Sequence, residues 1–202
     1  KSLLPSYDVF DEKRYFSPNK DIKPIILKTK SKETAIGLHI CEDLWNNEYS
    51  TNVLEELFQK GVDIFINISA SPYYLNKSKE RYEIIKSKVR KYKRPFIYCN
   101  LIGGQGELIF DGGSIALNKE GKCIKQAKYF EEEVVIINTN SISRKNITFE
   151  MKDDSLLKAL SLGVRDYFKK TSHNKAIIGL SGGIDSALTA AIASVSIGSD
   201  NL

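Results

Sequence analysis

The sequence predicts a layered α/β fold. Strand-length apolar runs alternate with helical segments in the first half of the chain, a β-rich return follows, and a strand, a Gly-Gly loop and an Ala-rich helix close it. At 202 residues and 42% hydrophobic, the chain can bury a core and has room for one large domain or parts of two.

The apolar segment Ala35 to Cys41 reads as a buried strand, and Thr51 to Lys60 as a short helix capped by Ser50 or Thr51 and closed by Gly61. Val62 to Ile68 is a second strand. A helix of about four turns follows, with Tyr82, Ile85, Val89 and Tyr92 on one face and lysines around the rest. Pro95 ends it and Phe96 to Ile102 returns as a strand. Gly103 to Gly113 reads as a loop, and Ser114–Asn118 with Lys122–Phe130 as a hairpin turning through Asn118-Lys119-Glu120-Gly121. Glu133 to Asn138 offers one more strand.

From Thr139 to about Met151 the chain turns polar, which places a linker at 141–152 between a first domain, 1–140, and a second unit, 153–202. In that unit Leu156, Leu160, Val164 and Tyr167, flanked by Leu157 and Phe168, form an apolar helical stripe, with Lys169 and Lys170 at the favourable C-terminal end. Ala176 to Leu180 is then an apolar strand. A parallel strand needs neighbours on both sides, so the single closing strand-loop-helix unit is expected to be a piece of a domain, and the sequence an internal fragment.

The charge of +5 is spread rather than clustered, which argues against nucleic-acid binding. Three cysteines without a C-x-x-C spacing fit neither a disulfide framework nor a zinc site, and point to a reducing, cytoplasmic setting. No apolar run approaches the roughly 20 residues that span a bilayer, so no membrane partner is expected.

Two motifs carry chemistry. Ser181-Gly182-Gly183-Ile184-Asp185-Ser186 links a strand to a helix, where backbone N–H groups and the helix dipole favour a phosphate. Ser181 and Ser186 add hydroxyls, and Asp185 a carboxylate able to hold Mg²⁺ beside a pyrophosphate. The loop has no Lys and is not a Walker A site; on glycines alone it could equally be a tight turn with ordinary caps. Cys41 follows the strand ending His39-Ile40, at a sharp turn where a thiol could attack an amide carbonyl. Taken singly, such a Cys is equally a small buried hydrophobe.

The whole strings are more specific. Ser181-Gly182-Gly183-Ile184-Asp185-Ser186-Ala187 resembles the loop of the ATP-pyrophosphatase family. Cys41-Glu42-Asp43-Leu44-Trp45 resembles the nucleophile motif of the nitrilase superfamily, specifically the glutaminase domain joined to NAD+ synthetases. Lys1-Ser2-Leu3-Leu4-Pro5-Ser6-Tyr7 with Val9 to Phe16 resembles that family's lysine segment, and Asn67-Ile68-Ser69-Ala70-Ser71-Pro72 its glutamine-pocket segment.

The resemblance implies a partial nitrilase-like α-β-β-α sandwich, followed by the first helix and β-loop-α unit of a doubly wound, parallel-sheet ATP-pyrophosphatase domain. It implies Cys41 as nucleophile and Lys1 as oxyanion support, with the Glu base lying N-terminal to these residues. It makes Tyr7, Glu42, Ser69 and Ser71 glutamine contacts, and Ser181 to Ser186 the ATP loop. Glu42 and Glu107 read as polar neighbours of the site or equally as solvated carboxylates, and Lys77 and Arg81 as holders of the glutamine carboxylate or, in the preferred reading, as decoration of a helix. The implied parent enzyme uses glutamine, ATP with Mg²⁺ and nicotinic acid adenine dinucleotide, as a homo-oligomer. The alternatives are a stand-alone nitrilase-type amidase and an inert truncated fragment.

Overall fold

The computed structural model describes residues 1–46, 49–139, 146–149 and 152–202. A short antiparallel pair, β1 (Ser6–Tyr7) and β2 (Phe10–Asp11), precedes a central six-stranded sheet in the order β10-β9-β6-β5-β4-β3. The strands are β3 (Ile25–Lys28), β4 (Glu33–Ile40), β5 (Ile64–Ser69), β6 (Phe96–Asn100), β9 (Ile115–Leu117) and β10 (Cys123–Gln126). The three in the middle run parallel, and β3, β9 and β10 add antiparallel edges.

The parallel register sets the site. Ile40 lies opposite Ile68, and Ile68 opposite Cys99, so the C-terminal ends of β4, β5 and β6 open together. Period-2 alternation sends Gly37, His39, Phe65, Asn67, Phe96 and Tyr98 to a buried face. There they meet Leu54 and Leu57 of α1 (Val53–Gln59) and Ile85, Val89 and Tyr92 of α2 (Lys77–Tyr92). Gly37 is small by necessity, since a Cβ there would stand 3.0 Å from the Phe65 ring. The opposite face, with Leu38, Ile68 and Cys99, is exposed.

The predicted strands, the long helix and the Asn118 turn are present, with four corrections. The cap of α1 is Asn52, whose side chain accepts from Glu55 N–H at 3.1 Å, rather than Ser50 or Thr51. The glycine stretch is a hairpin, β7 (Ile102–Gln105) and β8 (Leu108–Asp111), turning at Gly106. Glu133–Asn138 makes no ladder, and Val134 and Ile136 are exposed. Ala176–Leu180 is likewise unpaired among the described residues, with Ile177 100% exposed. An apolar run lacking neighbouring strands cannot hold its backbone polar groups in a sheet.

The helix α3 (Lys152–Lys170) also presents a different face from the one predicted. Leu156, Leu157, Leu160 and Tyr167 are exposed, while Ser155, Ala159 and Leu162 are buried. The reason is close approach: a Cβ on Gly104 would lie 3.0 Å from the Gly163 Cα, so the glycine hairpin selects the helix's small residues. Gly104 N–H donates to Asp166 Oδ2 at 2.8 Å, and the Lys170 ammonium to the Gly104 carbonyl. Phe130, Ala159 and Leu162 form a second core cluster with Tyr73, Ile109 and Tyr129 around them. The predicted linker, 141–152, falls largely outside the described residues. The helix α4 (Ile184–Ile197) packs against α3.

Candidate active site

Cys41 leaves β4 at φ +43, a left-handed conformation that costs a non-glycine residue strain, and starts a single 3₁₀ turn, Cys41–Leu44. The buried Asp43 carboxylate holds this elbow. Oδ2 accepts from Ile40 N–H at 3.0 Å, and Oδ1 accepts from Ser2 and Leu3 N–H at 2.9 and 2.8 Å. One side chain thereby ties the Cys41 turn to the N-terminal segment. Nothing in the sequence pattern singled Asp43 out beyond its place in the motif.

The elbow faces a cavity of about 390 Å³ lined by Lys1, Tyr7, Glu12, Cys41, Glu42, Trp45, Ser71 and Lys77 among others. That volume suits a small polar substrate. The predicted Lys1, Tyr7, Cys41, Glu42 and Ser71 are thus brought together. Ser69 does not line this cavity; it lines a neighbouring one beside Cys99 and Asn100. It nonetheless stands near Cys41, because Ile40 and Ile68 are paired, and its hydroxyl donates to Asn67 Oδ1 at 2.5 Å.

Burial pushes the Cys41 thiol up from its ordinary range, and the Lys1 charge, the Ser69 hydroxyl and the Ala70 backbone oppose that rise. Burial thus favours the thiol over the thiolate, and a nucleophilic role would call for a base to remove its proton. Glu42 accepts from Tyr7 Oη at 2.9 Å and Tyr49 Oη at 3.0 Å. Burial first, and then that carboxylate, push the Tyr7 phenol up, so Tyr7 remains a neutral donor.

Two charged cavity residues stand outside the preferred sequence reading of the site: Glu12, which it does not single out, and Lys77, for which it favours helix decoration over a glutamine contact. Glu12 is ion-paired with the Lys1 ammonium. Lys77, read as helix decoration, lies 3.8 Å above the Trp45 ring centroid and 3.2 Å from Glu80 Oε2. Burial pushes its pKa down. Its place at the first turn of α2, after the Ser71-Pro72 segment, is the signal that marks it. Arg81 is neither decoration nor a cavity residue: it is buried and ion-paired with Asp111. Glu107 is exposed at the β7–β8 tip.

The second motif lies apart on α4. Ser186 Oγ donates to Gly183 O at 3.0 Å and accepts from Ser181 N–H at 3.3 Å, and Gly182 takes φ +84. The loop is exposed and leads into the helix N-terminus, with Asp185 in the first turn. Among the described residues no cluster of three or more His, Cys, Asp or Glu could hold a metal. A lone carboxylate beside phosphates fits Mg²⁺, which keeps waters and shares substrate oxygens, so Asp185 is the residue that would hold it.

The fold and the elbow together define a class. Residues 2–145 match the carbon-nitrogen hydrolase family model, and the chain belongs to that family. Residues 156–202 match the NAD synthase model. The glutamine-dependent NAD(+) synthetase of Synechocystis sp. is 42% identical over the whole chain, and that of Thermotoga maritima 33%. The chain spans 38% and 40% of their lengths. The solved glutamine-dependent NAD+ synthetase of Acinetobacter baumannii, in complex with ADP, superposes with a TM-score of 0.87 at 33% identity, covering 100% of this chain and 38% of that one. The carbon-nitrogen hydrolase of Helicobacter pylori matches 65% of the chain and 48% of its own at a TM-score of 0.55 and 27% identity. The fold is nitrilase-like. No helix among the described residues is long and apolar enough to cross a membrane.

Proposed function

We propose that these residues belong to a glutamine-dependent NAD+ synthetase, with residues 1–140 in the glutaminase, 141–152 as linker and 153–202 opening the synthetase. The observation that carries this reading is the strained Cys41 elbow facing a cavity that Lys1, Tyr7 and Glu42 also line. Tyr7 and Glu42 receive the amino group of glutamine, while Ser71 and the Lys77 ammonium receive its carboxylate. A base, by resemblance a Glu N-terminal to these residues, takes the thiol proton. The Cys41 sulfur bonds to the amide carbon, and Lys1 stabilises the oxyanion. The C–N bond breaks, the nitrogen takes the proton and leaves as ammonia, and water then cleaves the thioester to glutamate.

The nicotinate carboxylate of nicotinic acid adenine dinucleotide attacks the α-phosphorus of ATP held at Ser181 to Ser186 and releases pyrophosphate, and ammonia then displaces AMP from the adenylate to give NAD+. Asp185 would hold Mg²⁺, which when bound would neutralise charge on the phosphates. We place the full-length protein in the cytoplasm, as a homo-oligomer without nucleic-acid or membrane partners. The relatives named as glutamine-dependent NAD(+) synthetases along the whole chain favour this over a stand-alone amidase. The test is ammonia release from glutamine, and glutamine-dependent NAD+ formation, by the full-length protein and its Cys41→Ala variant. Loss of glutamine use, with NAD+ formation retained on free ammonia, is expected. A Cys41→Ala protein that still hydrolyses glutamine would overturn the assignment.

A further inference from the structure

We propose that Arg81 is a positioning residue that fixes the Ser71 hydroxyl as a hydrogen-bond donor into the Cys41 cavity. The inference rests on the glutaminase reading and deepens it.

Ser71 is held at every polar atom. Its N–H donates to Asn100 Oδ1 at 3.0 Å, and its carbonyl accepts from Arg81 Nη2 at 2.8 Å. Its Oγ accepts from Arg81 Nε at 3.2 Å. The same guanidinium donates to the Pro72 carbonyl at 3.0 Å, and through Nη1 to both Asp111 oxygens at 2.7 and 2.9 Å. Arg81, Asp111 and Ser71 are 3%, 1% and 3% exposed.

A guanidinium only donates, so the Ser71 oxygen must accept from it and the Ser71 proton must point elsewhere. Ser71 lines the Cys41 cavity, and Arg81 does not. Arg81 therefore turns the Ser71 proton toward another acceptor, such as a carboxylate oxygen in the cavity, while its own charge disfavours a second cation there. The planar fork reaches Ser71, Pro72 and Asp111 at once, a geometry that lysine lacks. The buried Tyr98 hydroxyl makes no hydrogen bond among the described residues and is the competing acceptor to be tested.

The full-length protein is assayed for glutamine kcat and KM, and for the rate at which iodoacetamide alkylates Cys41, as Arg81→Lys, Ser71→Ala, the double variant and Tyr98→Phe. Arg81→Lys is expected to raise the glutamine KM about tenfold, with kcat and the alkylation rate within about twofold. In the Ser71→Ala background, Arg81→Lys adds less than about twofold to KM, because its effect passes through Ser71. Tyr98→Phe leaves KM unchanged or lower. An unchanged KM in Arg81→Lys, effects that multiply in the double variant, or a raised KM in Tyr98→Phe overturns the proposal. Should Arg81→Lys not fold, the charge-free pair Arg81→Gln/Asp111→Asn takes its place with the same expected KM rise. Absence of glutamine hydrolysis in the unaltered protein would refute the glutaminase reading itself, a different result from an unaltered KM in the variants.

Discussion

The Tyr73 hydroxyl lies 2.8 Å from Ser155 Oγ although 82 positions separate the two residues. Tyr73 sits one residue beyond Pro72 and one before Tyr74, both of which line the Cys41 cavity, while its own ring packs edge-on against Phe130. The cavity wall and α3 thus share one short segment. Replacing Tyr73 by Phe keeps the ring and removes the hydroxyl, and should loosen α3 by about 1 kcal/mol. Amide hydrogen exchange in 152–170 reports it; unaltered protection would show that the bond contributes nothing to docking.

Gly104→Ala tests the same junction from the backbone side. The added Cβ meets the Gly163 Cα at 3.0 Å and Asp166 Cβ at 3.4 Å, and neither atom can swing away as a long side chain would. A cost of about 1–3 kcal/mol is expected, concentrated on α3 docking. Limited proteolysis should open the chain near α3 before the central sheet. Simultaneous loss of both would show that the two clusters unfold as one.

His39 predicts how stability depends on acid. Fully buried between the Phe65 and Phe96 rings, with Nδ1 bonded to Gly37 O at 3.1 Å, it is pushed down to about 4 by burial. The Gly37 bond and the Asp43 charge oppose the fall, and the Lys88 charge adds to it. Unfolded, the imidazole takes up a proton near pH 6.5. The folded state therefore keeps its full advantage above that pH and loses it as pH falls from about 6.5 toward 4, by on the order of 3 kcal/mol. Urea unfolding across that window should flatten in His39→Leu, and an identical slope in both proteins would refute the assignment.

The Cys41 environment sets its reactivity profile. Since burial raises the thiol and Lys1 counters the rise, alkylation of Cys41 should accelerate only at alkaline pH, and Lys1→Met should move the midpoint still higher. Mapping by mass spectrometry separates it from the exposed Cys99. A midpoint that moves down in Lys1→Met would exclude the ammonium as the stabilising charge.

What could be read along the chain was governed by local patterning. The strand ahead of Cys41 and the helix through Ile85 and Val89 declare themselves because alternation and 3.6-residue periodicity are local properties. The Cys41 to Trp45 string and the Ser71 segment were legible as motifs, and the structure places Cys41, Glu42, Trp45 and Ser71 on one cavity. Long-range choices were not legible. The side of α3 that meets the hairpin was decided by Gly104 against Gly163, 59 positions apart in the sequence by subtraction of the two numbers. Lys77 resembles the other lysines of α2 until the fold lays it over Trp45. Arg81 starts the buried stripe of its helix, a place apolar periodicity assigns to carbon.

The left-handed backbone at Cys41 inverts a familiar order of preference. Glycine is ordinarily a poorer replacement than alanine within folded structure, because it loses more chain entropy on folding. At φ +43 the penalty falls instead on any residue carrying a Cβ. Cys41→Gly and Cys41→Ala both lack the thiol, yet the glycine protein should melt higher, by roughly 1 kcal/mol in stability. Selection for a thiol at this position would thus hold the chain below the thermal stability open to it, trading endurance for a sulfur aimed outward from the end of a strand.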